Sequence, residues 1–537
     1  MTIEHGALTH ASRYNLAAVA CLAVLSAAMW VAFFPLLADD AYIGARYVRQ
    51  LYAGHGLVFN AGERINALTS PLHTLVLAAI QPLATDIVTA YRFGALLLTA
   101  GSLLVLAGKA YACFADRLVF LVLTLGSPLV AFWTVGGLET PLLLCLCSWL
   151  TWLALSTRAA NESSRAVTII VLSALAVLTR YDSVLFVAPV AALCLWREWR
   201  NGRVLASAAS AALTILLWLA FTKMYYGDIL PTSYYVKSPL NPDTGEIGRG
   251  LIYVASFFVL SLAVVGFAFR WRARRWGPMR MTPYAAALAM GLAVEAVYGV
   301  FAGTKHMMYA YRLFVPYLPS LVLLSLPALR RSAPPAGAPG PARGALTLAL
   351  LGYQALFALV LYFLTENPNL SLLFRAQSVG NEIYEFSTLG AKYTGSFLAA
   401  VRASATDIDA HWRTMPYSKE RAPRLEVMTG GTLPYLLPDA YVLEPLISYR
   451  HRCKPELYPF ADYLQVVHKA NESIQLPNAG SDAGPWERIS AHSFAAQGLQ
   501  KDPIDAVVEI WFRRNHSPPT LPTDINGPCV TVKPEPA

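Results

Sequence analysis

Long apolar segments recur along this chain and limit what it can fold into. Hydrophobic residues make up 56% of the sequence and charged residues only 14%. A helix needs about 20 mainly apolar residues to cross a bilayer, and about eleven segments approach that length. The sequence therefore predicts an α-helical polytopic membrane protein. The candidate spans are residues 16–38, 88–108, 118–135, 138–156, 166–178, 183–196, 204–222, 251–269, 282–302, 310–328 and 344–364.

The loops between these segments are basic on alternate sides. With the N-terminus in the cytoplasm, every strongly basic loop is cytoplasmic, as the positive-inside rule requires. The net charge of +9 therefore reflects topology and does not indicate nucleic-acid binding. Segments 166–178 and 183–196 hold only about 13 or 14 apolar residues each, so they are either tilted spans or a re-entrant hairpin. Segment 71–82 predicts a membrane-surface helix.

Asp39 and Asp40 stand where the first apolar segment ends, within a first extracytoplasmic loop of residues 31–87. Two adjacent carboxylates beside hydrocarbon are costly unless they cap a helix, pair with a cation or take part in chemistry. The next residues, 41–53, have the pattern of an amphipathic juxtamembrane helix, with Asp40 as a candidate N-cap and Gly54 as the stop.

The composition becomes mixed and polar after about residue 365. Residues 1–364 are therefore expected to form the transmembrane domain and residues 365–537 one soluble extracytoplasmic domain. Short apolar runs at 424–428, 441–443 and 506–512 predict strands, hence a small α/β or α+β unit. An oxidising compartment makes a disulfide between Cys453 and Cys529 a candidate.

Polar residues collect at the outer ends of the predicted spans. Charged side chains at membrane depth are costly, so several around one aqueous cavity indicate a reaction or transport site. A carboxylate can take a proton from a hydroxyl, and basic groups can stabilise a departing phosphate. The catalytic candidates are Asp39 and Asp40. The candidates for binding substrate or phosphate are Arg46, His55, Glu139, Arg180, Asp182, Asp228, Lys237, Lys305, His306 and Arg312.

Structural roles are the alternative for most of these residues. Asp40 could be only a helix N-cap, and Glu139 could cap the helix that follows it. Arg180 and Asp182 could form a structural ion pair. Turn formation or contact with lipid head groups could account for Asp228, Lys305 and His306.

Several motifs follow one another in the order found in a known family. They are Asp39-Asp40-Ala-Tyr-Ile43, Gly54-His-Gly-Leu-Val-Phe-Asn60, Thr69-Ser-Pro-Leu72, Gly137-Leu-Glu-Thr-Pro141, Leu178-Thr-Arg-Tyr-Asp182, Tyr226-Gly-Asp-Ile-Leu-Pro231 and Tyr311-Arg-Leu-Phe-Val-Pro316. Together they make residues 39–320 resemble the GT-C fold polyprenyl-phosphate sugar transferases, in particular the mycobacterial terminal β-arabinofuranosyltransferase group. Residues 303–307 depart from that family in lacking an acidic residue, and the C-terminal part resembles it only around residues 429–435.

The resemblance implies a GT-C fold: a multi-span body, an acid in the first extracytoplasmic loop that serves the acceptor hydroxyl, and an outer soluble domain. It implies a glycosyltransferase of the bacterial inner membrane with its active site on the periplasmic side. The donor is a polyprenyl-phosphate sugar that enters from the bilayer, with D-arabinofuranose as the candidate sugar. The acceptor is a hydroxyl of an extracytoplasmic glycan or protein.

A lipid monophosphate is a leaving group that Arg and Lys side chains can stabilise alone. We therefore expect no obligatory cofactor beyond the lipid-linked donor, and no clustered metal-ligand spacing indicates a divalent cation. Two other functions suit a polytopic protein with charged residues near its spans: a lipid or sugar transporter or flippase, and a ligase or polymerase of lipid-linked glycans. A transporter favours inverted repeats, and the sequence has no such internal symmetry.

Overall fold

The computed structural model describes residues 2–513 apart from several gaps. The gaps are residues 157–160, 238–246, 259, 261–281, 303–309, 326–339, 367–390, 428–429, 445–460, 470–485 and 497–503. The first helices are α1 (Thr2–Phe33), α2 (Ala41–Tyr52), α3 (Pro71–Ile80), α4 (Ile87–Ala110), α5 (Phe114–Thr124), α6 (Pro128–Val135), α7 (Thr140–Leu155), α8 (Glu162–Thr179) and α9 (Val184–Arg197). The later helices are α10 (Gly202–Tyr226), α11 (Thr232–Lys237), α12 (Ile247–Phe258), α13 (Pro283–Ala302), α14 (Leu318–Ser325), α15 (Gly340–Glu366), α16 (Ala391–Thr414) and α17 (Thr432–Leu436).

The prediction of a mostly helical, multi-pass membrane protein is confirmed. By length and composition, five helices among the described residues can cross a membrane: residues 16–33 of α1, and α4, α8, α10 and α13. Helix α8 reaches 18 residues because it starts at Glu162, earlier than its apolar pattern indicated. The predicted spans at 138–156, 251–269, 310–328 and 344–364 coincide with shorter apolar helices as far as they are described, and the span at 183–196 with α9, a 14-residue helix.

The predicted single span at 118–135 is wrong in one respect, because it is broken. Helices α5 and α6 meet at an angle of 58° across residues 125–127. Gly126 has no space for a side chain, since an added Cβ would lie 2.7 Å from the carbonyl oxygen of Val122. Pro128 then starts α6 at a position where its missing N–H costs nothing. The break brings the C-terminal end of α6 to the loop that carries Glu139.

Helix α2 starts at the predicted residue and ends at Tyr52, one residue before the predicted end, with Asp40 at the N-cap and Gly54 in the left-handed conformation at φ +85° just after the C-cap. The buried surface of α2 is not confined to apolar residues. Leu51 is 41% exposed, whereas Arg46 and Gln50 are buried. The polar side of α2 is covered because the C-terminal domain packs on it.

The C-terminal domain contains a mixed sheet, which confirms the predicted α/β or α+β unit and its strands. The strands are β1 (Arg424–Glu426), β2 (Tyr441–Leu443), β3 (Tyr463–Lys469), β4 (Trp486–Ala496) and β5 (Ile504–Arg513). Their order is β2-β1-β3-β5-β4, with the first three parallel and β5 antiparallel to both β3 and β4. Helix α16 packs against β4, where Asp407 accepts hydrogen bonds from Ser490 and His492 at 2.6 Å each.

The largest buried apolar cluster is continuous between the membrane helices and this domain. It includes Leu37 and Val88 on the membrane side and Leu433, Val442 and Ile510 on the domain side. The C-terminal domain therefore lies directly on the first loop, at the end of the helices where the candidate residues collect.

Candidate active site

The loop after α1 and the loop before α7 are joined to each other. The backbone N–H of Ala38 donates to the carbonyl oxygen of Gly136 at 3.2 Å. Gly137 has φ +82°, and a Cβ there would lie 2.8 Å from Leu37 and 3.0 Å from Ala41. Only glycine fits this crossing. The crossing brings Glu139 next to the loop that carries Asp39 and Asp40.

Glu139 is the centre of a buried ion cluster. Its carboxylate is 3% exposed and accepts two hydrogen bonds from Nη2 of Arg312, at 2.9 and 3.2 Å. Nε of Arg180 lies 3.9 Å from the same carboxylate and donates to Asp182 at 3.1 Å. Glu139 makes no capping hydrogen bond to α7, so the capping role is not what holds it. The segments that carry Glu139, Arg180 and Arg312 are distant in sequence and meet at the Glu139 carboxylate.

The turn before Arg312 holds an uncommon backbone conformation. Ala310 and Tyr311 have φ of +47° and +55°, a region that residues other than glycine rarely occupy. The indole Nε1 of Trp133 donates to the carbonyl oxygen of Ala310 at 3.0 Å. The Arg312 guanidinium lies over the same indole, 5.5 Å from the ring centroid. Such turns persist where surrounding contacts fix them, and they are concentrated at functional sites.

The Asp39 carboxylate is hydrogen-bonded to the C-terminal domain. Its carboxylate accepts hydrogen bonds from the backbone N–H groups of Gly431 and Thr432, both at 2.8 Å, and from the Thr432 hydroxyl at 2.7 Å. The residue is 1% exposed. Burial raises the pKa of the Asp39 carboxyl, and the hydrogen bonds from Thr432 oppose that rise. Asp39 therefore attaches α17 to the start of α2.

Asp40 differs from its neighbour in both exposure and bonding. It is half-buried, and its carboxylate makes no capping hydrogen bond although it occupies the N-cap position of α2. The N-cap alternative is therefore only positional, because the side chain does not satisfy a helix N–H group. Of the two catalytic candidates, Asp39 is buried and Asp40 is partly exposed.

Arg46 and His55 lie away from the ion cluster. Arg46 is fully buried and donates to backbone carbonyls of Phe59, Pro434, Leu437 and Ala440. A guanidinium bonded to four carbonyls in this way fastens the C-terminal domain to α2 and has no donor directed to the ion cluster. His55 is exposed, and its Nδ1 lies 2.6 Å from the side-chain oxygen of Gln50.

The remaining candidates are only partly described. Asp228 is half-buried in the loop between α10 and α11. Lys237 ends α11, and its side chain lies outside the described residues. Lys305, His306, Cys453 and Cys529 also lie outside them, so their assignments stay predictions. Within the described part of the chain, no group of three or more His, Cys, Asp or Glu residues is arranged to hold a metal ion.

Two buried residues near the cluster escaped the sequence analysis. Glu295 of α13 is fully buried and accepts a hydrogen bond from the Tyr317 hydroxyl at 2.9 Å. His73 of α3 is 4% exposed and packs edge-on against Tyr91 at 4.5 Å. Each is a single ionisable residue inside an apolar segment, which was the available signal, since such residues in membrane proteins mark functional positions.

We expect Gly431→Ala to detach α17 from the first loop. An added Cβ would overlap the carbonyl oxygen and carboxylate of Asp39, and overpacking typically costs about 1–3 kcal/mol. Hydrogen exchange of the amides of α2 and α17 should become faster.

Gly352→Ala is the matched control. Gly352 is also glycine in a helix-rich region, but its added Cβ would meet nothing within 4 Å, so exchange at α2 should not change. Unchanged exchange at α2 and α17 in Gly431→Ala would contradict the attachment described above.

Comparison with known proteins gives one curated relative and a set of solved structures. No family model matches the chain. The terminal β-(1→2)-arabinofuranosyltransferase of Mycobacterium tuberculosis (strain ATCC 25618 / H37Rv) is 29% identical over 239 residues, which is 41% of this chain. The match covers only 37% of the relative, so the chain spans little more than a third of that protein's length.

The solved structures are those of ArnT from Cupriavidus metallidurans. The apo structure has a TM-score of 0.56 at 15% identity, and the structure bound to undecaprenyl phosphate has a TM-score of 0.54 at 14% identity. Both comparisons cover 91% of this chain and 97% of the ArnT chain. The chain therefore has the GT-C fold that its ordered motifs implied.

Proposed function

We propose that this protein is a membrane glycosyltransferase that moves a sugar from a polyprenyl-phosphate donor to an acceptor hydroxyl. The observation that carries the proposal is the buried cluster of Glu139, Arg180 and Arg312 beside the Asp40 loop. The ArnT fold supports it, because one of the matching ArnT structures has undecaprenyl phosphate bound. A cluster that only stabilised the helices would not need to adjoin a half-buried carboxylate.

Asp40 is the general base of the proposed reaction. Its carboxylate takes the proton of the acceptor hydroxyl while the hydroxyl oxygen bonds to the anomeric carbon of the donor. The bond between that carbon and the phosphate oxygen breaks, and its electron pair leaves with polyprenyl phosphate. The proton then passes from Asp40 to water. Asp39 positions Asp40 by fixing the start of α2 to Gly431 and Thr432.

Arg180 is the principal phosphate ligand in this proposal. The residue is 7% exposed, and its Nη1 has no hydrogen-bond partner among the described residues. A charged donor in a dry site stabilises negative charge more strongly than in water. Arg312, held by Glu139, adds positive charge. Lys237, Lys305 and His306 are further proposed phosphate partners.

The sugar, the side of the membrane and the acceptor are proposed from further observations. Arabinofuranose is the proposed sugar because the curated relative is named an arabinofuranosyltransferase. The loop charges of the sequence support an active site and a C-terminal domain on the extracytoplasmic side of a bacterial inner membrane. A cell-envelope glycan or protein is the proposed acceptor, and the C-terminal domain over the first loop would contact it. The lipid-linked donor is the only cofactor the proposed chemistry needs.

The test is transfer by the purified protein in detergent or liposomes. With polyprenyl-phosphoryl-arabinofuranose and an oligoarabinoside acceptor, we expect one molecule of polyprenyl phosphate released for each glycoside formed, with EDTA present or absent. A transporter or flippase would move the lipid across liposomes without forming a glycoside. Movement of the intact donor without release of polyprenyl phosphate would therefore overturn the proposal in favour of transport.

A further inference from the structure

Three buried polar side chains in the first turn of α3 and the loop just before it have atoms that form no hydrogen bond with a described residue. Asn66, Ser70 and His73 are only 1%, 6% and 4% exposed. The amide nitrogen and oxygen of Asn66, Oγ of Ser70 and Nε2 of His73 all lack a hydrogen-bond partner among the described residues. Buried polar groups are nearly always hydrogen-bonded, and exceptions that lie together indicate that a ligand or water completes them.

His73 connects these three residues, the row of Asn66, Ser70 and His73, to the ion cluster. Its ring packs against Tyr91, whose hydroxyl donates at 2.9 Å to the carbonyl oxygen of Leu138, the residue before Glu139. His73 is also close enough to Glu139 and Arg312 to feel both charges. His73 therefore lies beside the groups proposed to receive the phosphate.

The packing of α2 on α3 brings the same row towards Asp40. Gly44 lies against Thr74 and Leu77, and the Tyr52 hydroxyl donates to the carbonyl oxygen of Ala78 at 2.9 Å. Gly44 and Thr74 each stand in the first turn of their helix, so the first turns of α2 and α3 adjoin. Asp40 is at the start of α2 and Ser70 at the start of α3, so both lie at the same end of the pair.

The three side chains offer neutral groups that both donate and accept. An amide and a hydroxyl do both. Burial lowers the pKa of His73 to about 4, so the imidazole is neutral near pH 7 and also has one donor and one acceptor nitrogen. Sugar hydroxyls need such partners, whereas a phosphate oxygen only accepts and would be repelled by the Asn66 carbonyl oxygen.

We propose that Asn66, Ser70 and His73 form the subsite that binds the hydroxyl groups of the sugar being transferred. His73 adjoins the Glu139 cluster, which would face the phosphate, and Ser70 stands at the same end of the helix pair as Asp40, which would face the acceptor. The transferred sugar lies between the phosphate and the acceptor in the reaction. This subsite rests on the proposed function. It assigns sugar recognition to three residues that are not among the catalytic or phosphate-binding candidates.

The test uses donors that lack one hydroxyl. Wild-type protein is compared with Asn66→Ala and Ser70→Ala on polyprenyl-phosphoryl-arabinofuranose and its 2-, 3- and 5-deoxy analogues. Wild type should discriminate against at least one deoxy donor by about 10-fold or more in kcat/KM. The ratio of kcat/KM for the full donor to kcat/KM for that deoxy donor should fall towards one in the variant that lacks the side chain bonded to the missing hydroxyl. In that variant neither donor can form the hydrogen bond, so the two donors become equivalent.

Both variants should fold normally. The Ser70 hydroxyl makes no capping hydrogen bond to α3, and the Asn66 side-chain amide bonds to no described residue, so removing either breaks no hydrogen bond among the described residues. Thermal unfolding in detergent verifies this before kinetics.

Asn201→Ala is the control. The Asn201 side chain caps the first turn of α10. At the other end of α10 the Tyr226 hydroxyl donates to the carbonyl oxygen of Leu57 in the first loop. A helix of 25 residues is about 37 Å long, so Asn201 lies far from the first loop. Asn201→Ala should therefore keep the wild-type ratio.

Equal loss of kcat/KM on every donor in Asn66→Ala and Ser70→Ala, or no loss at all, would overturn the subsite while leaving the transferase function intact. Absence of transfer by wild type itself would instead refute the proposed function. These two failures are distinct, because the first requires an active wild-type enzyme.

Discussion

Asp40→Asn should lower kcat for sugar transfer by about 10²- to 10⁴-fold, the usual contribution of a general base. The amide has nearly the same shape as the carboxylate but cannot take the acceptor proton. The fold should be unchanged, because the Asp40 carboxylate makes no capping hydrogen bond to α2. The measurement is single-turnover transfer from polyprenyl-phosphoryl-arabinofuranose, together with thermal unfolding of the same preparation.

Asp39→Asn is the matched comparison, since it makes the same chemical change one residue earlier. Its new NH₂ group would oppose the N–H donor of Gly431 or Thr432, and an unsatisfied buried group costs about 1–3 kcal/mol. We expect lower stability and a smaller loss of kcat than in Asp40→Asn. A stable but inactive Asp39→Asn beside an active Asp40→Asn would reverse the two roles.

Glu139→Gln should both destabilise the protein and stop transfer. Removing one partner of a buried ion pair costs about 3–5 kcal/mol, because the other charge stays buried without its partner. Arg312, bonded to Glu139 at 2.9 Å, is that charge here. Arg180 keeps Asp182 as its partner. The free energy of unfolding can be measured by SDS titration in mixed micelles.

Asp409→Asn is the stability control for this experiment. It breaks an i,i+4 pair with Arg413 whose side chains are 48% and 75% exposed, and such pairs contribute only about 0.3–0.5 kcal/mol.

The double variant Glu139→Leu with Arg312→Met separates stability from function. Replacing a whole buried pair with apolar side chains is often neutral or stabilising, so most of the lost stability should return. Transfer should stay lost, because Arg312 no longer adds positive charge for the phosphate and Arg180 has lost the neighbouring carboxylate of Glu139. Recovery of transfer together with stability would show that the Glu139–Arg312 pair is only structural.

Local signals predicted the elements around the site well. Asp40 and Gly54 fixed both ends of α2, and alternating apolar runs fixed β1, β2 and β5. The convergence of Glu139, Arg180 and Arg312 was also predictable, because a regular alternation of basic loops assigned all three to one face. These inferences needed only neighbouring residues or a count of spans.

Contacts between residues that are distant in sequence could not be predicted from local patterns. The donors to Asp39 come from Gly431 and Thr432, nearly 400 positions along the chain, and α17 is a five-residue helix too short to show a period. Arg46 looked like a free cation for the same reason, since backbone carbonyls of the C-terminal domain leave no trace in the sequence.

Isolated polar residues were missed for a different reason. Asn66, His73 and Glu295 match no repeated pattern. The sequence marks His73 and Glu295 only as single ionisable residues in apolar segments, and it marks Asn66 not at all; burial and missing partners distinguish all three. The turn at Gly126 to Pro128 was readable as a break, but the apolar residues on either side made the segment resemble one span of normal length.

A structure with polyprenyl phosphate bound tests the central claim most directly. We predict phosphate density with an oxygen about 2.7–2.9 Å from Nη1 of Arg180, the distance of a charge-assisted hydrogen bond, and the lipid chain leading from there into the bilayer. Phosphate bound elsewhere on the protein, with Arg180 contacting only Glu139 and Asp182, would contradict transfer from a lipid phosphate at this site.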